Sequence, residues 1–205
     1  MGLKMTNLTA KLLPLVIYFS LAPVFAAVEK PAAQIELKNG KSRVEFTALG
    51  SSGLTITGKT SDDHPVTGNF KVDGKKVSGT ARLELEGLDT GMEMRNKHMK
   101  EKYLEVPKFP EAKFTLTELT LPGDPTADFL AKQIPFKGEM LLHGQTKPVT
   151  GFVDAEKKGT DLNLEFTFAL KMGQFQIQTP SFLGITVAED VNVLVQAKSP
   201  LVVKN

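Results

Sequence analysis

From Ser42 onward, hydrophobic and polar residues alternate with a period of two. Val44, Phe46 and Ala48 alternate with Arg43, Glu45 and Thr47. Val77, Gly79, Ala81, Leu83 and Leu85 alternate with Ser78, Thr80, Arg82 and Glu84. The cleanest run sets Leu162, Leu164, Phe166, Phe168 and Leu170 against Asp161, Asn163, Glu165 and Thr167, and Val191, Val193, Val195 and Ala197 close the series. Such a period puts one face of each strand inside and the other in water. In "FTLTELTL" the phase slips between Leu116 and Leu119, which predicts a bulge. "VDGKK", "HGQTKP" and "EKKGTD" are short turn signals between the runs, so the strands are expected to join as antiparallel hairpins in a barrel or sandwich. "PGDPTADFLAKQIP", from Pro122 to Pro135, reads as a long connection with one helical turn.

One helix interrupts the strands. Thr90 and Glu93 have the spacing of a capping box, and Pro107 limits the helix to about Leu104. On such a helix Met92, Arg95 and Met99 share a face, which Tyr103 continues one turn later. A helix lodged in an all-β chain commonly closes one end of a barrel. The fold class expected is therefore all-β with one or two short helices and about eight antiparallel strands.

The 205-residue chain is 41% hydrophobic, enough for a sizeable core. Its first 26 residues differ from the rest. Lys4 and Lys11 precede the apolar run "LLPLVIYFSLAPVFA", and Val24 and Ala26 supply the small residues a signal peptidase reads. Pro14 and Pro23 interrupt that run, and it is short for a transmembrane helix, so residues 1–26 are expected to be a cleaved signal peptide, with a retained anchor as the alternative. The expectation is a periplasmic protein with one domain over residues 27–205 and no integral membrane span. Removing residues 1–26 takes away Lys4 and Lys11 and no acid, leaving 23 basic against 23 acidic residues. A neutral domain lacks the positive field that accompanies nucleic-acid binding. The chain has no cysteine, which excludes disulfides, thiol catalysis and Cys-based metal sites.

The three histidines, His64, His98 and His143, fall in no H-x-x-x-H or H-E-x-x-H arrangement, so no metal and no cofactor are expected. No G-x-S-x-G and no phosphate-binding glycine loop occurs, so catalysis is not visible. An eight-stranded barrel is either filled by its own side chains or holds one small ligand. The inward set mixes Phe46, Phe166 and Phe168 with Ala48, Gly79, Ala81 and Gly138, and fits both. Met92, Met94 and Met99 suit an adaptable apolar wall or plain core filling. Arg95 has five donors and a permanent charge, so on an apolar face it needs an anion. That anion is either a carboxylate of this chain, such as Asp89 or Glu93, or a group on a ligand. Lys97, Lys100 and Lys102 form a solvated helix side, with attraction to an acidic membrane surface as the alternative.

"GLDTGMEMRNKHMKEKYLEVPKFPEAKFTL" resembles the signature region of the YceI-like family: a strand end, an Asp-Thr-Gly turn, a helix bearing Arg and His, then an aromatic, a proline and an Ala-x-Phe strand that includes Phe114. "GEMLLHGQTKPVTGFV" is similar to the family's second marker, and "EDVNVLVQA" to its closing strand. The resemblance implies an exported, lipocalin-like antiparallel barrel that holds a long amphipathic lipid, typically a polyisoprenoid. It places the family's helical arginine on Arg95 and its histidine on His98, while Asn96 stands where an aspartate often follows the arginine. The ligand-binding residues expected on this joint reading are Arg95, His98, Met92, Met99, Tyr103, Phe46, Phe114, Phe166 and Phe168. The competing functions are a ligand-free envelope interaction or stress protein with a solid core, and a lipid-modifying enzyme. A homodimer is compatible with either.

Overall fold

A computed structural model describes residues 33–38, 41–51, 53–125, 127–182 and 184–203. The expected signal peptide, residues 1–26, lies outside them.

The strands are β1 (Ala33–Leu37), β2 (Ser42–Gly50), β3 (Thr55–Thr60), β4 (Thr67–Asp73), β5 (Lys76–Glu84), β6 (Leu88–Asp89), β7 (Glu111–Leu119), β8 (Phe129–Leu142), β9 (Gln145–Lys158), β10 (Asp161–Lys171), β11 (Ser181–Phe182) and β12 (Ile185–Val203). Every pairing is antiparallel. The order β1-β4-β5-β7-β8-β9-β10-β12 returns to β1, because Ala33 pairs with Val203 and Ile35 with Leu201. The sheet thus closes into an eight-stranded barrel. β12 is long enough to serve two neighbours: its Val187–Ala197 stretch pairs β2 and its last residues pair β1.

Three barrel strands are interrupted rather than continuous. β1 and β2 follow one path, as do β3 and β4, while β5 continues through a 3₁₀ turn (Leu85–Gly87) into β6. The breaks in the second and third paths meet. Ser61 N–H donates to the Gly87 carbonyl at 2.8 Å, and a Cβ on Gly87 would collide with the His64 side chain, so the close approach requires glycine.

The expected bulge is present, with the β7–β8 register shifting between Leu116 and Glu118. The expected long connection is shorter than its prolines imply, because β8 already begins at Phe129. β7 pairs β8 only as far as Phe136, so Phe129–Pro135 has β9 on one side alone, where proline is tolerated. Gln133, at φ 55°, marks a second irregularity, and its backbone N–H donates to Asp154 Oδ1 at 2.7 Å.

The helix also departs from expectation at its start. Helix α1 spans Glu93–His98 and continues as a π-helical turn over Met99–Tyr103. Met92 is the N-cap and makes no side-chain capping bond, so the Thr90–Glu93 capping box does not form. Gly91, at φ 76°, turns the chain between them, and the Thr90 hydroxyl is engaged elsewhere.

Inward side chains form one principal core. At the barrel end carrying the Gly74 and Gly159 turns, Val72, Val153, Ala155 and Leu162 are fully buried. Midway, Phe136 is only 2% exposed and meets Phe114, Phe166 and Phe168 at centroid distances of 5.8, 5.3 and 6.1 Å, each edge-on. Phe114, Phe166 and Phe168 are themselves only half-buried although they face inward. Phe136→Ala should therefore lower stability by about 3–5 kcal/mol in urea unfolding. Phe166→Ala should lose clearly less, since the removed ring already fronts open space.

Candidate functional site

The open space is a cavity of about 610 Å³ inside the barrel. It runs from Met92 and Arg95 at the α1 end to Leu119, Leu162 and Leu201 near the other. Leu162, Leu164, Phe166, Phe168 and Leu170 of β10 all line it. Eight residue steps at about 3.3 Å give about 26 Å along that strand, or about 20 Å of depth once strand tilt is allowed for. The volume lies in the range of about 300–1,000 Å³ typical of small-molecule sites.

Glycine shapes the wall. Gly58 pairs with Phe46 across β2 and β3, and a Cβ on Gly58 would strike the Phe46 ring. A Cβ on Gly138 would likewise strike the Phe114 ring. Each ring therefore leans over a missing side chain on the neighbouring strand, while Phe114 also reaches across the barrel to stack on Phe168 at 6.4 Å. The alternation of large and small inward residues, which fitted a filled core equally well, here leaves a cavity beside the phenylalanine cluster.

All nine residues singled out from the sequence line this one cavity: Phe46, Met92, Arg95, His98, Met99, Tyr103, Phe114, Phe166 and Phe168. The helix face of Met92, Arg95, Met99 and Tyr103 is preserved through the π-helical turn and looks into the barrel. Arg82, Arg95 and His98 are the basic lining residues, and no aspartate or glutamate lines the cavity among the described residues. Leu54 and Met94, which the alternation and helix-face patterns left out, line it as well.

Arg95 is held by Thr90. Its Nε donates to the Thr90 hydroxyl at 2.9 Å and its Nη2 to the Thr90 carbonyl at 2.7 Å. Neither Asp89 nor Glu93 forms an ion pair with it, so the two internal carboxylates proposed as its anion are not its partners. Thr90 in turn donates to Asn96 Oδ1 from its hydroxyl (2.7 Å) and its backbone N–H (2.8 Å). Asn96 Nδ2 donates to Asp89 Oδ1 at 2.6 Å, and Gly91 N–H donates to the same oxygen at 2.8 Å. The carboxylate is therefore tied to an amide and a backbone N–H, while one edge of the guanidinium is fixed by neutral oxygens. Nη1 keeps its donors for another acceptor. An aspartate at position 96 would put its own carboxylate against that of Asp89. Asparagine bridges Asp89 and Thr90 by donating to one and accepting from the other.

A second tether holds the segment after the π-helical turn. His143, in the β8–β9 turn, hydrogen-bonds the Phe175 carbonyl through Nδ1 at 3.0 Å and Glu105 Oε2 through Nε2 at 2.7 Å. Phe109 stacks at a tilt on its ring, with centroids 4.6 Å apart. Glu105 and His143 both adopt left-handed backbone angles, φ 45° and 50°, so the contact joins two sharp corners of the chain. Among the described residues no group of three or more His, Asp or Glu side chains is placed to hold a metal ion.

The hydrogen bond from Asn96, with that from Gly91 N–H, holds the Asp89 carboxyl below its ordinary value of 3.8. A native value below the unfolded one stabilises the fold above about pH 3.8, and that contribution is lost as pH falls through the lower native value. Asn96→Ala should move the Asp89 midpoint upward toward 3.8, read by carboxyl-carbon NMR titration. It should also leave the Arg95–Thr90 pair less ordered.

Comparison with known proteins agrees with this architecture. A family model for the YceI-like domain matches residues 36–199. A UPF0312 protein of Pseudomonas putida (strain W619) is 30% identical over 156 residues, covering 73% of this chain and 77% of its own length. Protein YceI of Salmonella arizonae is 31% identical over 141 residues, covering 64% of this chain and 67% of its own. Among solved structures, Burkholderia cenocepacia BcnA superposes with a TM-score of 0.65 at 15% identity, covering 80% of this chain and 99% of that one. A polyisoprenoid-binding domain from Saccharophagus degradans gives 0.61 at 13% identity, covering 81% and 98%. The match over residues 36–199 spans nearly the whole closed barrel, and the chain belongs to the YceI-like domain family.

Proposed function

We propose that this protein binds a long amphipathic lipid of the polyisoprenoid type, with the apolar chain along the barrel axis and an anionic head group at Arg95. The observation that carries this reading is the composition of the cavity: a deep apolar bore with Arg95 and His98 at its α1 end and, among the described residues, no acid on its wall. The half-buried inward phenylalanines and the cavity they line favour a carrier over a solid-core interaction protein. The solved relative described as polyisoprenoid-binding supports the ligand class. An enzyme would need titratable groups converging on one point, whereas the wall offers only Arg82, Arg95, His98 and Tyr103 beside its apolar residues and two hydroxyls. The protein acts as a binding protein without cofactor, and the basic, apolar and small-residue succession of residues 1–26 supports export, with cleavage behind Ala26.

Arg95→Ala should weaken binding of an isoprenyl phosphate by about 1.5–3 kcal/mol, the scale of a hydrogen bond to a charged group. Binding of the matching neutral alcohol should scarcely change. Titration of both ligands into wild type and variant decides this, and equal losses would place the role of Arg95 within the chain. Intact mass of the envelope fraction should show a protein beginning at Ala27. A cytoplasmic form that retains residues 1–26 would overturn the export reading.

A further inference from the structure

The α1 end of the barrel carries apolar side chains that face both the cavity and the solvent. Leu54 is 44% exposed, Met92 56% and Met94 64%, and all three line the cavity. Leu49, 53% exposed on the outer side of β2, stands beside the β2–β3 turn that bears Leu54. Of the six large hydrophobic side chains that are exposed among the described residues, four therefore gather at this rim. The other two, Leu130 and Phe152, sit on the outer surface of β8 and β9.

The helical segment beside the rim carries more basic than acidic residues. From Met92 to Tyr103 the chain carries Arg95, Lys97, Lys100 and Lys102 against Glu93 and Glu101. Lys100 is tied to Glu86 at 3.1 Å, and Lys102 lies over the Tyr103 ring. Lys97 and His98 follow Met94 by three and four residues, so their side chains flank it on the helix surface. Lys97 has no ion pair or hydrogen bond among the described residues. Exposed methionine and leucine with cations alongside is the chemistry of an interfacial contact, in which apolar groups enter the headgroup boundary and lysines meet lipid phosphates. A protein partner would call for a surface of matching shape, whereas three flexible or projecting side chains around an opening suit a fluid one.

We propose that this end docks on an anionic phospholipid bilayer, with Leu54, Met92 and Met94 inserted at the headgroup level and Lys97 and His98 against phosphates. The cavity would then open toward the acyl region, and an apolar chain could pass between barrel and bilayer without crossing water. The purpose of the docking rests on the lipid-binding reading, but its test does not.

The test is flotation of the full chain with vesicles of phosphatidylcholine containing phosphatidylglycerol, no isoprenoid being added. Wild type should bind these vesicles and bind pure phosphatidylcholine at least fivefold more weakly. Met94→Gln combined with Leu54→Ser should reduce binding at least tenfold. Lys97→Gln should weaken it and flatten its salt dependence, and Leu130→Gln with Phe152→Gln should leave it unchanged. Every variant carries the same residues 1–26, so the differences report on the rim. Binding that is equal in wild type and rim variants overturns the proposal, as does no vesicle binding by wild type, including the case where the rim instead joins two copies of the chain. Titration of an isoprenyl phosphate into Lys97→Gln separates the two readings. Unchanged ligand binding with lost vesicle binding supports docking, whereas ligand binding without any vesicle binding by wild type leaves the cavity function standing and removes the docking alone.

Discussion

The pairing of β1 with the end of β12 is the contact on which the rest depends. Three residue pairs, Ala33 with Val203, Gln34 with Val202 and Ile35 with Leu201, turn an open twisted sheet into a closed barrel. With no cysteine to staple it, the chain relies on this seam and on the buried residues beneath it. Closure removes the sheet edges, fixes the inner face of every strand and encloses a bore. The cavity follows from closure at eight strands, because the inward side chains, phenylalanines over glycines included, do not fill the bore.

Much of this was legible. Strand alternation is dictated by closure itself, since one face of each strand must be inside, so the runs in β2, β5, β10 and β12 stood out. The bulge after Leu116 announced itself as a phase slip. Other features were obscured by signals with two meanings. Pro135 reads as loop, yet one-sided pairing lets it sit in β8. Thr90 and Glu93 have capping-box spacing, but the left-handed Gly91 moves the helix start to Met92, and the threonine becomes the seat of Arg95 instead.

The site divides the same way. Helical spacing placed Met92, Arg95, Met99 and Tyr103 on one face, and that face looks into the barrel. Alternation gives the direction of a side chain but not the space in front of it, so an open bore and a filled core could not be told apart in Phe114, Phe166 or Phe168. Part of the answer lies in the overlay of Phe46 on Gly58 and of Phe114 on Gly138. The first is a register fact and the second a diagonal one, and neither shows in a single strand. The tether from His143 to Glu105 joins residues far apart in sequence, through backbone angles that nothing in their side chains announces.

The seam has a kinetic consequence. Its two strands come from opposite ends of the described chain, so this pairing has the greatest sequence separation of any in the sheet, and such contacts slow folding. Hairpins from β7 to β10 can assemble locally as the chain emerges. β1 must wait for the final residues of β12. Until then the intermediate is a curled sheet with two open edges, able to add a strand from a neighbouring molecule. A protein closed in this way completes its barrel only after the last residues of β12 have been released.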